Sequence, residues 1–129
     1  MIVYVSGQIS GMENRNRFAF NDAVLSVKNE LGKMCEVINP IAIGERIDKM
    51  FEELSTETGE EKTPDWHDYM RDCIRELTHV THILMLNGWE KSKGATVEKE
   101  LAEKLGIKVC YSVDDLKQSY KNAAQTGEW

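Results

Sequence analysis

The sequence predicts an α/β fold: an open, mainly parallel sheet with helices on both faces. Three observations carry this. Short β-rich runs alternate with helical patterns along the chain. Residues 81–86, Thr-His-Ile-Leu-Met-Leu, are nearly continuously apolar, as a strand covered on both faces must be. The 129 residues, 41% of them apolar, suffice for one core without metal or disulfide staples, so residues 1–129 read as a single domain.

Each element follows from its own pattern. Residues 2–6, Ile-Val-Tyr-Val-Ser, form a β-rich run ended by Gly7, a first strand. Residues 16–33 carry Phe20, Val24, Val27 and Leu31 at a helical period, with Gly32 placed to cap the end. Residues 36–39, just before Pro40, give a brief second strand. Residues 41–54 suit a helix interrupted near Gly44, and the polar, acidic residues 55–64 suit a mobile surface connection. Asp65 opens an amphipathic helix with Trp66, Tyr69, Met70, Cys73, Ile74 and Leu77 on one face. After the apolar strand comes a loop over 87–93, then a helix over 94–105. Residues 107–111 make a further strand, and 113 to about 124 a last helix.

In the common 2-1-3-4 strand order, strands one and three are neighbours, and ligands bind where the winding reverses, at their carboxyl ends. The loops emerging there are residues 7–11 and 87–94, so segments some 80 residues apart line one crevice.

Composition narrows the partners. Sixteen basic against 22 acidic residues give a net charge of −6, which argues against broad attraction to a nucleic-acid polymer or an anionic membrane. No stretch reaches transmembrane length, and the N-terminus enters a strand directly rather than a signal peptide. Cys35, Cys73 and Cys110 are odd in number, far apart and beside apolar runs, which suits buried thiols in a reducing compartment. A cytoplasmic location is expected.

One carboxylate is out of place. On a helical wheel of about 100° per residue, Val97, Leu101, Leu105, Ala102 and Ala95 fill one arc of the 94–105 helix, and Glu98 falls in its middle. A charge there must be paired, hydrogen-bonded or used, because burying an unpaired carboxylate is costly. Its place early in the helix suits an anion. The alternative is a first-turn glutamate that tilts to water or caps a backbone amide.

The two crevice loops supply the rest. Gly7, Gln8, Ile9, Ser10 and Gly11 offer close backbone approach and amide or hydroxyl donors, although glycines after a strand often serve only the turn. Ser92, Lys93 and Gly94 precede a helix N-terminus, a natural phosphate site, with Glu98 one turn deeper. Trp89 is placed either to stack on a base or to pack over the core. Lys91 and Lys93 are phosphate partners or plain surface charges. His79 and His82 straddle a helix–strand junction with no further ligands nearby, so no metal is expected, and His67 reads as solvated.

Tyr-x-x-Gly-x-Ile near the N-terminus and Ser-x-Gly-x-x-x-Glu opening a late helix resemble the nucleoside 2-deoxyribosyltransferase superfamily. The nearer enzymatic branch is the 2-deoxynucleoside 5-phosphate N-hydrolases. Tyr4, Gly7, Ile9, Ser92, Gly94 and Glu98 match at the right spacings. Tyr69-Met-Arg, Gly88-Trp89 and the run from Lys93 to Glu98 also resemble a largely uncharacterised phage and bacterial branch.

The resemblance implies a flavodoxin-like (Rossmann-like) fold and cleavage of the N-glycosidic bond of a nucleoside or nucleotide, without a cofactor. Glu98 would be the nucleophile, forming a deoxyribosyl ester that water or a second base resolves. Ser92 and the Gly94 amide would hold phosphate or sugar oxygens, and Tyr4 would orient Glu98. Relatives pair subunits, so a homodimer or larger homo-oligomer is implied. Two positions depart from the pattern. Ser10 stands where the hydrolase branch has a basic residue. Cys73 stands at the family's second carboxylate, leaving Asp72, one residue out of register, as the candidate catalytic acid. Asp72 also has a ready structural partner in Arg75. A non-catalytic nucleotide-binding module of the same fold is therefore the alternative function.

Overall fold

The computed structural model describes the backbone of residues 1–126 and the side chains of residues 1–123. Its elements are β1 (Ile2–Ser6), α1 (Arg17–Leu31), β2 (Glu36–Ile38), α2 (Pro40–Thr58), α3 (Trp66–Leu77), β3 (His82–Met85), α4 (Lys93–Lys104), β4 (Lys108–Cys110) and α5 (Val113–Thr126). All four strands are parallel, in the order β2-β1-β3-β4. This is the flavodoxin-like arrangement expected from the sequence. The register sets Val3 beside Val37, Tyr4 beside Ile83 and Ser6 beside Met85.

Side chains alternate across a strand, so β1 feeds two cores. Val3 and Val5 join Phe20 and Val27 of α1 and Leu116 of α5 on one face. Tyr4 joins Ile43, Cys73, Leu77, Ala95 and Ala102 from α2, α3 and α4 on the other. Chain winding reverses after β2, which is why α1 lies on one face and the next three helices on the opposite one. Phe20, Leu77, Ile83 and Leu116 are fully buried, each worth about 1.5–3 kcal/mol of apolar burial.

Most helix ends follow the sequence. Gly32 closes α1 at φ 67°, its N–H bonding the Lys28 carbonyl. Asp65 and Asp68 form a reciprocal capping box at the start of α3. Two expectations are corrected. Helix α2 runs unbroken through Gly44, because a mid-helix glycine costs only about 1 kcal/mol and does not block the hydrogen-bond ladder. It also continues a turn into the segment expected to be a loop, ending at Gly59 (φ 72°). Ser55, Thr56 and Thr58 bond back to the carbonyls of Phe51, Glu52 and Leu54, and Lys62 N–H donates to Ser55 Oγ at 2.8 Å. The connection is folded onto the helix end.

Among the described residues, no helix is long and apolar enough to cross a membrane.

Candidate functional site

Strand β1 ends where α4 begins. Ser92 caps α4 by accepting from the Ala95 N–H at 3.1 Å, so the helix starts beside the β1 and β3 carboxyl ends. Glu98, just over a turn in, then points at the sheet and is only 5% exposed. Tyr4 and Ser6, two apart and on one face of β1, meet it there. Tyr4 Oη donates to Glu98 Oε2 at 2.5 Å, and Ser6 Oγ donates to Oε1 at 2.8 Å. Each carboxyl oxygen is thereby fixed by one hydroxyl.

The electrostatics follow from burial. Desolvation pushes Glu98 up to about 7, and the two hydroxyl bonds pull it back only in part. Near neutral pH this carboxyl is close to its titration midpoint. Burial and the neighbouring Glu98 hold the Tyr4 phenol well above its ordinary range, so it remains a donor. Burial, with Glu98 adding to it, pushes the Cys73 thiol up to about 12.

Above this group opens a cavity of about 590 Å³ with Glu98 and Cys73 at its base. Its walls differ. On one side stand the β1 loop and the start of α4, including Lys91, Lys93 and the Gly94 backbone. On the other stand Trp66, Tyr69 and Met70 of α3 with Arg15 and Gly44. Gly94 is small for a reason of packing: a Cβ would lie 3.2 Å from Met70 Sδ. Gly7 likewise lets the loop pass β3, since its Cβ would meet Leu86 Cβ at 3.0 Å. Lys93 Nζ sits 4.3 Å from the centre of the Trp66 ring, joining the two walls.

The model of the family described as a domain of unknown function, DUF4406, matches residues 1–111. The chain belongs to this family. No curated protein and no solved structure matches it. The DUF4406 segment contains all four strands and every residue that lines the cavity, and only α5 follows it.

Within the DUF4406 domain, Gly7, Ile9, Ser10, Gly11, Ser92, Lys93, Gly94 and Glu98 all line the cavity, and Tyr4 lies buried against Glu98. Three expected site residues lie elsewhere. Asp72 is bonded to Arg75 and sits 3.7 Å from Arg46, outside the cavity. One residue is about 100° of helix, and that turn gives the cavity Cys73 instead. The structure therefore does not bring Asp72 to Glu98. Gln8 contributes its backbone carbonyl, which accepts from Asn16 Nδ2 at 3.0 Å, and lies outside the cavity wall. Trp89 packs away from it, its ring 6.3 Å from that of Tyr111, with Lys99 Nζ 5.3 Å from its centre.

The sequence reading counted Ser6 among the loop's hydroxyl donors without pairing it to Glu98, and it missed the cluster around Arg15. Ser6 was legible: a serine two positions after Tyr4 on an apolar strand shares its face. Arg15 was not. It projects from a turn in which Asn14, Arg15 and Asn16 all have positive φ, at 49°, 56° and 59°. Its Nη1 donates to Asp48 Oδ2 at 2.6 Å, its Nη2 lies 3.5 Å from Tyr69 Oη, and Tyr69 donates to the other Asp48 oxygen. Burial raises Asp48, but the bonds from Arg15 and Tyr69 outweigh it and leave the carboxyl below its ordinary value.

Proposed function

We propose that this protein cleaves the N-glycosidic bond of a 2-deoxynucleoside or its 5-monophosphate through Glu98, as its resemblance to the nucleoside 2-deoxyribosyltransferase superfamily suggests. The observation that supports this most is the Glu98 carboxyl, buried at the cavity base with Tyr4 on one oxygen and Ser6 on the other. A purely structural glutamate has no need of a cavity above it.

The chemistry is that of a retaining glycosidase. Ionised Glu98 attacks the anomeric carbon, a C–O bond forms, and the C–N bond breaks with its electron pair leaving on the base. Water or a second base then attacks the same carbon and frees the carboxylate. Tyr4 and Ser6 hold the carboxylate plane, so little orientation is lost at the moment of attack. A pKa near 7 leaves a substantial ionised fraction at neutral pH while keeping the carboxylate basic. The α4 N-terminus, with the Gly94 backbone, Lys93 and Lys91 beside it, suits a 5-phosphate or sugar oxygens. The same resemblance carries a homo-oligomeric state, which sedimentation would test.

A second reading is favoured by one observation: Cys73, not a carboxylic acid, faces Glu98. On that reading the cavity binds a nucleotide without cleaving it.

Chromatography of free base released from deoxynucleosides and their 5-monophosphates separates the two. The expected result is release by the wild type and a loss of roughly a thousandfold or more in Glu98→Ala. No release by folded wild-type protein, with a thermal shift on adding a deoxynucleotide, would establish the binding module instead.

A further inference from the structure

The proposed cleavage leaves one requirement unmet. When the C–N bond breaks, the base departs with an extra electron pair, and among the described residues no carboxyl besides Glu98 itself lines the cavity to protonate it. The cavity does hold a cationic donor on the wall away from the α4 N-terminus. Arg15 lines it beside Tyr69 and Gly44, and a Cβ on Gly44 would lie 3.7 Å from Arg15 Nη1. Tyr69 and Cys73 are four apart on α3, so the Arg15 cluster sits about 6 Å along that helix from the level of Glu98. A sugar lying over Glu98 with its phosphate toward α4 directs its base to this wall.

Asp48 bonds Arg15 with one oxygen and Tyr69 with the other, and it stands behind them, outside the cavity lining. The guanidinium keeps N–H groups beyond those it directs to Asp48 and Tyr69. What the cluster presents is therefore a donor fork of fixed orientation, suited to a planar acceptor.

Resting on the glycosidase reading, we infer that Arg15 stabilises the departing base as an anion by hydrogen-bonding its carbonyl oxygen, with Asp48 and Tyr69 as positioning residues. The bond balance is complete without an acid. The Glu98 Oε–C1′ bond forms, the C1′–N pair moves onto the base and delocalises to the carbonyl held by Arg15, and water supplies the proton after release. The substrate class follows: nucleosides of keto-bearing bases, such as uracil, thymine or hypoxanthine, over those of adenine.

The test compares two leaving groups on the same deoxyribosyl unit, with and without 5-phosphate. Uracil needs stabilisation as it leaves; 4-nitrophenolate does not. In Arg15→Met, uracil release is expected to fall about a hundredfold while nitrophenolate release stays within about threefold of wild type. Arg15→Lys, which retains the charge but not the fork, recovers part of the uracil rate. Asp48→Asn shows the same leaving-group signature at smaller size. Parallel loss of both activities in Arg15→Met and Arg15→Lys, or no loss of uracil release, overturns the role of Arg15 while leaving Glu98 chemistry standing. Release of neither leaving group by the wild type overturns the glycosidase reading and this inference with it.

Discussion

At the scale of single residues, the site turns on the cost of burying one carboxyl. Glu98 would ionise at an ordinary 4.5 in the unfolded chain and does so at about 7 in the fold, because desolvation outweighs the Tyr4 and Ser6 bonds. The folded protein therefore binds the proton more tightly. Stability from this group is present below about 4.5 and is lost as pH rises through about 7. Glu98→Gln removes the titration and keeps the shape, with one hydroxyl turning to accept from the new amide. Denaturant melts should find the variant matching wild type near pH 4 and exceeding it above pH 7 by on the order of 3 kcal/mol. A constant difference across that range would mean the carboxyl titrates normally in the fold. Excess stability in a variant that lacks a functional group is the usual signature of a site held at the expense of folding.

Helix α4 shows how one element serves two ends. Ser92 was singled out as a phosphate contact, yet its Oγ already accepts from the Ala95 N–H. Ser92→Ala should lower stability by about 1 kcal/mol through loss of that cap, and Ser92→Asn should restore it. If Ser92 only caps, Asn also restores ligand affinity; a variant stable yet weak in phosphate binding would add the ligand role. The elements differ in how much the sequence disclosed. Periodicity exposed α3, β3 and the misplaced Glu98, since each is a regular pattern or a break in one. It failed at Gly44 and residues 55–58, where α2 overrides weak local preferences by packing and by serine and threonine back-bonding. It also failed at Arg15, whose position depends on a left-handed turn and on Asp48 and Tyr69 from two other elements. At α3 the apolar periodicity already set Cys73 on the inward face and Asp72 one residue away beside Arg75, and the structure keeps that phase.

Across the whole molecule, two buried titrating groups stand at opposite ends of the parallel strands. His82 begins β3, 3% exposed, its Nε2 2.7 Å from Ser119 Oγ and its Nδ1 2.8 Å from Thr81 Oγ1. Burial, with lesser repulsion from Lys108 and the chain's amino terminus, lowers it from 6.5 to about 4. For a histidine held neutral the sign is opposite to that of Glu98. Its contribution is present above about 6.5 and is lost as pH falls through about 4. Between about 4.5 and 6.5 the two slopes therefore oppose each other, and the wild type changes little in stability on their account. Substituting either group should unmask the other. His82→Gln should grow less stable as pH rises from 5 to 7, Glu98→Gln more stable, and the double variant should add the two effects because the sites share no partner. Melts at half-unit pH steps across the four proteins would show it. If His82→Gln ran parallel to wild type, His82 would keep an ordinary pKa in the fold, and the Glu98 slope would stand unopposed in the wild-type profile.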